Sequence, residues 1–425
     1  MNNFYPWEIL HIDLQQDIPS LPKTEVNKNF YIIFWWGNTP LGHQEISAQQ
    51  LPISAKEVIK IALITITPTI TAYLSDKSIF LSNSLLKNQS DLETIRSICQ
   101  PLTQLQNNYQ KNYEKTATLS VSVVICTRDR SKQLAQCLHS LQNLSPPPQE
   151  IIVVDNAPKD NLTQQVVEQM SNISIIKYVL EPRPGLDIAR NTGLLNCTGD
   201  IIAYTDDDVM IHPYWIRQLQ HSFINPKTMA VTGLVLAGEI TTEPQYIFEK
   251  FSSFNRGYQP ILFDSEYFTK NQKWGVPVWH IGAGANMAFR RNIFELVGNF
   301  DERLDVGAAG CSGDSEMWYR ILAEGYDCRY EPTAIVYHFH RRDLSKLNQQ
   351  MFYYMRGHVA ALMVQFEKYK HYGNLRRLFL NLPKYYSGLL INSLLKGFHN
   401  RHVTLLPEIF GYLSGIKFYL THRKV

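Results

Sequence analysis

From residue 119 onward, short apolar runs alternate with segments of helical spacing. LSVSVVICT (119–127), EIIVVDN (150–156), ISIIKYVL (173–180) and DIIAYTDDD (200–208) are nearly continuous apolar runs, which predicts strands covered on both faces. Between them, SKQLAQCLHSLQ (131–142), NLTQQVVEQM and PGLDIARNTGLLNC carry apolar residues three and four apart, the spacing of helices. Strands and helices in alternation predict an α/β fold, a doubly wound, mostly parallel sheet, with ligands bound at the carboxyl ends of the strands. Those ends read Thr127-Arg128-Asp129, Asp155-Asn156 and Asp206-Asp207-Asp208, a polar and acidic rim on an apolar sheet.

The flanks read differently. Before a polar stretch at 107–118, expected to be a linker, YIIFWWG and the Ile/Thr-rich segment Ile59–Leu74 predict strands of a small α+β unit over 1–115. Beyond Ser345 three segments interrupted by Pro383 and Pro407 predict a helical region over 343–425, leaving 119–342 as the central unit. Apolar and basic residues interleave there, as in helices lying in a membrane interface; a helical cap on the central unit fits the pattern equally.

Charge sharpens this picture. The chain of 425 residues has a net charge of +3, too small for a nucleic-acid binder, yet nine Lys or Arg face the lone Glu408 after residue 369. A basic tail on a near-neutral body predicts contact with an anionic surface. The six cysteines have no short repeated spacing, which suits a reducing compartment. The stretch MNNFYPWEILHID lacks a basic n-region, and no apolar run reaches the length of a bilayer span. The expectation is a cytoplasmic protein, peripheral on the inner face of the plasma membrane.

Three consecutive carboxylates after an apolar strand are costly unless a cation neutralises them. Strand geometry puts Asp206 and Asp208 on one side and Asp207 on the other. Two oxygens on one side suit Mn²⁺ or Mg²⁺, with diphosphate oxygens and water completing the shell. Asp155 ends its strand where a nucleoside could be met. There is no GxGxxG after the first strand and no GxxxxGK[ST], so dehydrogenase and P-loop readings lose their support.

The pieces VSVVICTRDR, EIIVVDNAP, PGLDIARNTG, YTDDDV, GAGANMAFRR and GDSEMWYRIL, between Val121 and His340, resemble in content and order a family 2 glycosyltransferase of the GT-A fold. The resemblance implies transfer of a sugar, with inversion, from a nucleotide-diphosphate sugar (a UDP-sugar foremost) to an acceptor hydroxyl. It puts Asp206 and Asp208 on the family's DxD, with Asp208 the direct metal ligand. It sets Asp155 against the nucleoside, and Thr127 and Arg128 in the loop beneath the base. Asp207 is counted with the same donor site. Cys126-Thr127-Arg128-Asp129 stands where many members have Pro-Thr-Tyr-Asn, and Gly313 where many have an acid.

Inverting transfer needs a carboxylate base for the attacking hydroxyl. Asp314 shares a helical stripe with Met317, Trp318 and Ile321, whereas Glu316 stands four residues before Arg320, as in a surface ion pair; Asp314 is therefore the expected base, and the resemblance selects the same position. Arg183 and Arg190 could neutralise diphosphate. Gly284 and Asn286, in the small-residue run 282–286, fall on the acceptor side by resemblance, and the Gly/Ala-rich segment 301–311 reads as a lid. His338 is a possible third metal ligand. Expected partners are a nucleotide-sugar donor and a saccharide or lipid-linked acceptor, in cell-surface polysaccharide or glycolipid assembly. The alternatives are a sugar-nucleotide-forming nucleotidyltransferase, which would want a glycine-rich phosphate loop after the first strand, and an inactive sugar-binding or assembly subunit. Retention of Asp206, Asp208 and Asp314 together argues against the latter.

Overall fold

The computed structural model describes residues 4–23, 28–74, 92–116, 119–170, 175–397 and 400–422. Strands β1 (Trp7–Asp13), β2 (Asn29–Trp36) and β3 (Thr39–Ile46) form a small sheet in which β2 pairs parallel with β1 and antiparallel with β3. Every residue of β2 is buried, because the strand has a core on each side. Phe30, Ile32, Phe34 and Trp36 pack with helices α1 (Ala55–Leu74) and α2 (Leu92–Thr116), while Tyr31, Ile33 and Trp35 enter the core of the larger sheet. Each such side chain contributes roughly 2 kcal/mol of burial, so the unit is joined firmly to the rest.

Two expectations fail here. Ile59–Leu74 belongs to a helix, not to strands. Its β-branched residues favour strands, but Val58, Ala62, Ile66 and Ile70 recur every four residues and bury one face. The hydroxyls of Thr65, Thr67 and Thr71 donate to the carbonyls four residues back, so they serve the helix. By length and composition α1 is also apolar enough to cross a membrane, contrary to expectation, although seven of its residues are buried in this unit. The second failure is the expected linker, whose residues up to Thr116 continue α2.

In the larger sheet, β4 (Val121–Thr127), β5 (Glu150–Asn156), β6 (Ile176–Glu181) and β7 (Ile201–Asp206) run parallel in the order β7-β4-β5-β6. Helices α3 (Ser131–Leu141) and α4 (Leu186–Asn196) supply crossovers and cover opposite faces. The other half is mixed. It comprises β8 (Val209–Ile211), β9 (Thr228–Ala237), β10 (Ile261–Phe263), β11 (Asn286–Arg290) and β12 (Asp327–His338). Strand β11 lies antiparallel between β7 and β9, β12 runs parallel to β9, and β8 and β10 pair antiparallel with β12.

Helix α5 (Gly313–Ala323) packs on this sheet through Met317, Trp318 and Ile321. The C-terminal region is helical as expected, with α6 (Leu344–Tyr369), α7 (Leu382–Lys396) and α8 (Leu405–His422). Gly411 and Gly415 let α8 approach α6, since a Cβ at Gly415 would lie 2.7 Å from the Arg356 carbonyl oxygen. Leu390, Ile391, Leu394 and Leu395 of α7 and Leu406, Phe410, Leu413 and Leu420 of α8 are left exposed.

Candidate active site

Parallel register sets the three polar strand ends side by side: Thr127 pairs with Asp155, and Cys126 with Asp206. After Asp206 the chain turns through Asp207 and Asp208 into β8. The turn separates the three carboxylates. Asp207 accepts from Thr127 Oγ1 at 2.7 Å and from Arg130 Nη1 at 2.9 Å. Asp206 and Asp208 instead meet His338 at the end of β12, and one ligand atom from each lies within 4.8 Å of the others. Strand β8 enforces this meeting, because Val209 pairs with His338.

Charge in this corner is unevenly shared. Burial and the neighbouring Asp208 carboxylate push Asp206 up to about 6. Burial works in the same sense on Asp208, but His338, 3.3 Å from its Oδ1, outweighs it and holds the carboxyl well below its usual range. The same contact overrides the burial of His338 and keeps its imidazole above the ordinary value. Arg130, at 3.0 Å, and Arg341, at 3.9 Å, complete the surroundings of Asp208. Behind His338, its Nδ1 lies 3.1 Å from His340 Nδ1, and His340 Nε2 lies 3.3 Å from Glu249 Oε2. Glu249 also accepts from Tyr31 of β2 at 3.3 Å. Such a backing fixes the ring of a ligating histidine. Two carboxylate oxygens and an imidazole nitrogen converging on one point fit a hard to borderline divalent cation.

Asp314 stands in the first turn of α5, facing the same cavity. Burial and Asp305 raise its pKa against the pull of Arg190, which moves a carboxylate towards the range of a general base. Arg190 is 4% exposed and donates from Nη1 to Asp187 at 2.8 Å and Asp305 at 2.6 Å. Gly284 lies between base and arginine: a Cβ there would sit 2.8 Å from Arg190 Nη2 and 3.2 Å from Asp314 Oδ2. The cavity holding these groups has a volume of about 1540 Å³, above the usual range for a single small ligand. The 301–311 segment forms one wall, tied by Asp305 to Arg190 and by the Val306 carbonyl to Leu186 N.

Thr127, Arg128, Arg190, Gly284, Asp314, His338 and the three consecutive aspartates all line this cavity. Three expected residues lie elsewhere. Asp155 is fully buried behind the rim, accepting from Tyr178 through Oδ2, while Oδ1 has no hydrogen-bond partner; Asn156 lines the cavity instead. Arg183 is turned outward onto Glu181 at 2.9 Å, where a nearby carboxylate satisfies it. Asn286 is buried under the sheet, bonded to Trp215 Nε1, Leu234 O and Ala334 O, so it braces strands and offers nothing to an acceptor. Glu316 is not at the surface either: it forms a buried pair with Arg320 at 2.8 Å.

Arg130, Asp187 and Asp305 were not singled out from the sequence. Arg130 sits in the same strand-end motif as Arg128 and was legible there. Asp305 meets Arg190 across a separation of 115 residues, for which no local signal exists.

Comparison with known proteins adds an independent line. The family model for glycosyl transferase family 2 matches residues 122–298. A pre-mycofactocin glycosyltransferase of Mycobacterium tuberculosis is 28% identical over 249 residues, covering 58% of this chain and 48% of the relative. The chain thus spans about half the length of that relative. Glycosyltransferase AglE of Haloferax volcanii is 26% identical over 257 residues, 59% of this chain and 76% of that protein. Among solved structures, the mannosyltransferase PcManGT of Pyrobaculum calidifontis, in complex with GDP-Man and Mn²⁺, is 17% identical with a TM-score of 0.47. It covers 70% of this chain and 87% of its own. The strand-end motifs, the sheet that aligns them and the family match agree on one stretch: residues 122–298 of this chain are similar to glycosyl transferase family 2.

Proposed function

We propose that the chain transfers a sugar, with inversion, from a nucleotide-diphosphate sugar to an acceptor hydroxyl, in a divalent-cation-dependent reaction. One observation carries the reading: a buried carboxylate with a raised pKa, Asp314, faces the same cavity as the Asp206–Asp208–His338 cluster. The acceptor oxygen attacks the anomeric carbon, the bond from that carbon to the diphosphate oxygen breaks, and the hydroxyl proton passes to Asp314. Asp206, Asp208 and His338 would hold the cation, which when bound supplies positive charge to the departing diphosphate. Asp207 is engaged by Thr127 and Arg130 and serves to position the rim. Arg190, paired through Nη1 with Asp187 and Asp305, holds the Asp314 corner together and screens its charge.

A membrane-side acceptor fits the exposed apolar residues of α7 and α8 together with the basic tail. The reading is tested by nucleoside-diphosphate release from a panel of nucleotide sugars with Mn²⁺. Asp314→Asn should lower turnover by about 10²–10⁴-fold while leaving Mn²⁺-dependent thermal stabilisation intact. Full activity of Asp314→Asn would overturn the assignment.

A further inference from the structure

The cavity has a second charged region that the transfer chemistry leaves unused. Arg130, Arg190 and Arg341 each lie within ion-pair distance of an aspartate. Arg256 and Arg377 also line the cavity, yet neither forms an ion pair with a described carboxylate. Arg256 donates from Nη1 to Ser253 O at 2.6 Å and from Nη2 to Gly282 O at 3.4 Å, and its Nε is buried without a partner. Arg377 donates through Nε to His358 at 3.1 Å, and its guanidinium lies 3.8 Å above the Trp279 ring.

Asp314 and Glu249 act on Arg256 only from a distance, and among the described residues no carboxylate is in ion-pair contact with either arginine. Burial lowers the pKa of both arginines, that of Arg377 to about 10. His280 is lowered by burial and by both arginines, so the three share one stretch of wall. His358 is lowered by burial to about 3. Two guanidiniums drawn from water with no carboxylate in contact are costly unless an anion arrives with the ligand, and the planar fork matches phosphate oxygens. Asp314 acts electrostatically on Arg256, which sets this region beside the base, where the acceptor must lie. From Arg377 the wall continues through Leu382 and Tyr385 into α7, the helix with the exposed leucines.

We propose that Arg256 and Arg377 form a subsite for a phosphate group on the acceptor, and that this acceptor is an amphiphile whose apolar chain runs toward α7. Naming the ligand an acceptor rests on the glycosyl-transfer reading; the binding itself does not.

The test is titration calorimetry on the full chain, with EDTA and no donor, using farnesyl phosphate, farnesol and inorganic phosphate as probes. Farnesyl phosphate should bind at least tenfold more tightly than either of the others. Arg256→Gln and Arg377→Gln should each weaken it at least tenfold, with thermal stability equal to or above wild type, since each removes a buried charge that no carboxylate contacts. Binding within twofold of wild type in both variants, or farnesol binding as well as its phosphate, would overturn the subsite. Inorganic phosphate binding as tightly as farnesyl phosphate would overturn the amphiphile, and a fall in melting temperature with binding unchanged would reduce both arginines to a structural role. A chain that binds in this way but transfers no sugar would refute the enzymatic reading alone.

Discussion

Replacing Arg190 by Met removes one positive charge from a site where Asp187, Asp305 and Asp314 converge. Methionine keeps most of the volume, so the loss is electrostatic. At contacts of 2.6 and 2.8 Å, and an effective dielectric near 20, each attraction amounts to about 6 kcal/mol before desolvation is subtracted. Removing one partner of such a buried set costs about 3–5 kcal/mol net. The cost should depend on pH with a definite sign. Burial already raises the pKa of Asp187, and that of Asp314 is raised too; without Arg190 both rise further. The folded variant then binds more protons than its unfolded chain, so its stability increases as pH falls. Urea unfolding of both proteins at pH 8 and pH 5 is the assay. A deficit of about 3–5 kcal/mol at pH 8 that narrows at pH 5 is expected, by roughly 1.4 kcal/mol for each unit that Asp187 rises. A deficit under about 1 kcal/mol at pH 8, or one that widens towards pH 5, would refute the reasoning.

Glu316→Gln should destabilise by about 3–5 kcal/mol, because Arg320 would keep its bonds to the carbonyls of Val297, Gly298 and Asn299 but lose its only described carboxylate partner. Thermal unfolding checks this, and Glu316→Met combined with Arg320→Met should recover much of the loss. Gly284→Ala would place a methyl 2.8 Å from Arg190 Nη2 and 3.2 Å from Asp314 Oδ2. A displaced base costs on the order of 10²-fold in turnover, with little change in melting temperature, and steady-state kinetics would show it.

The parallel half of the sheet was legible because β4, β5 and β7 are apolar on both faces and end abruptly in polar or acidic residues, Thr127, Asp155-Asn156 and Asp206. The division of labour among Asp206, Asp207 and Asp208 was legible from strand alternation, although a turn rather than continued strand produces it. Helix α1 was not, since Ile and Thr favour strands and only packing against β2 and β3 selects the four-residue spacing. Arg183 and Arg190 looked equivalent along the chain. They differ in that one lies beside Glu181 at the surface and the other under a loop contributed from far downstream. Asn286 was misassigned for a related reason: a glycine-rich run suggests an open approach, but its last residue points into the sheet and bonds Trp215.

The hydrogen-bonded file from Tyr31 through Glu249 and His340 to His338 crosses from the small sheet into the cation corner. A segment without any chemical signature of its own therefore acts as a keystone for the angle of an imidazole encoded near the other end of the central unit. Excising residues 1–115 would strip Glu249 of its tyrosine donor and bare the flank that Trp7, Ile33 and Trp35 now shield. The shortest fragment that keeps this geometry is consequently larger than the stretch carrying the family's motifs, and evolution can alter the corner by editing a sheet that lines no part of the cavity.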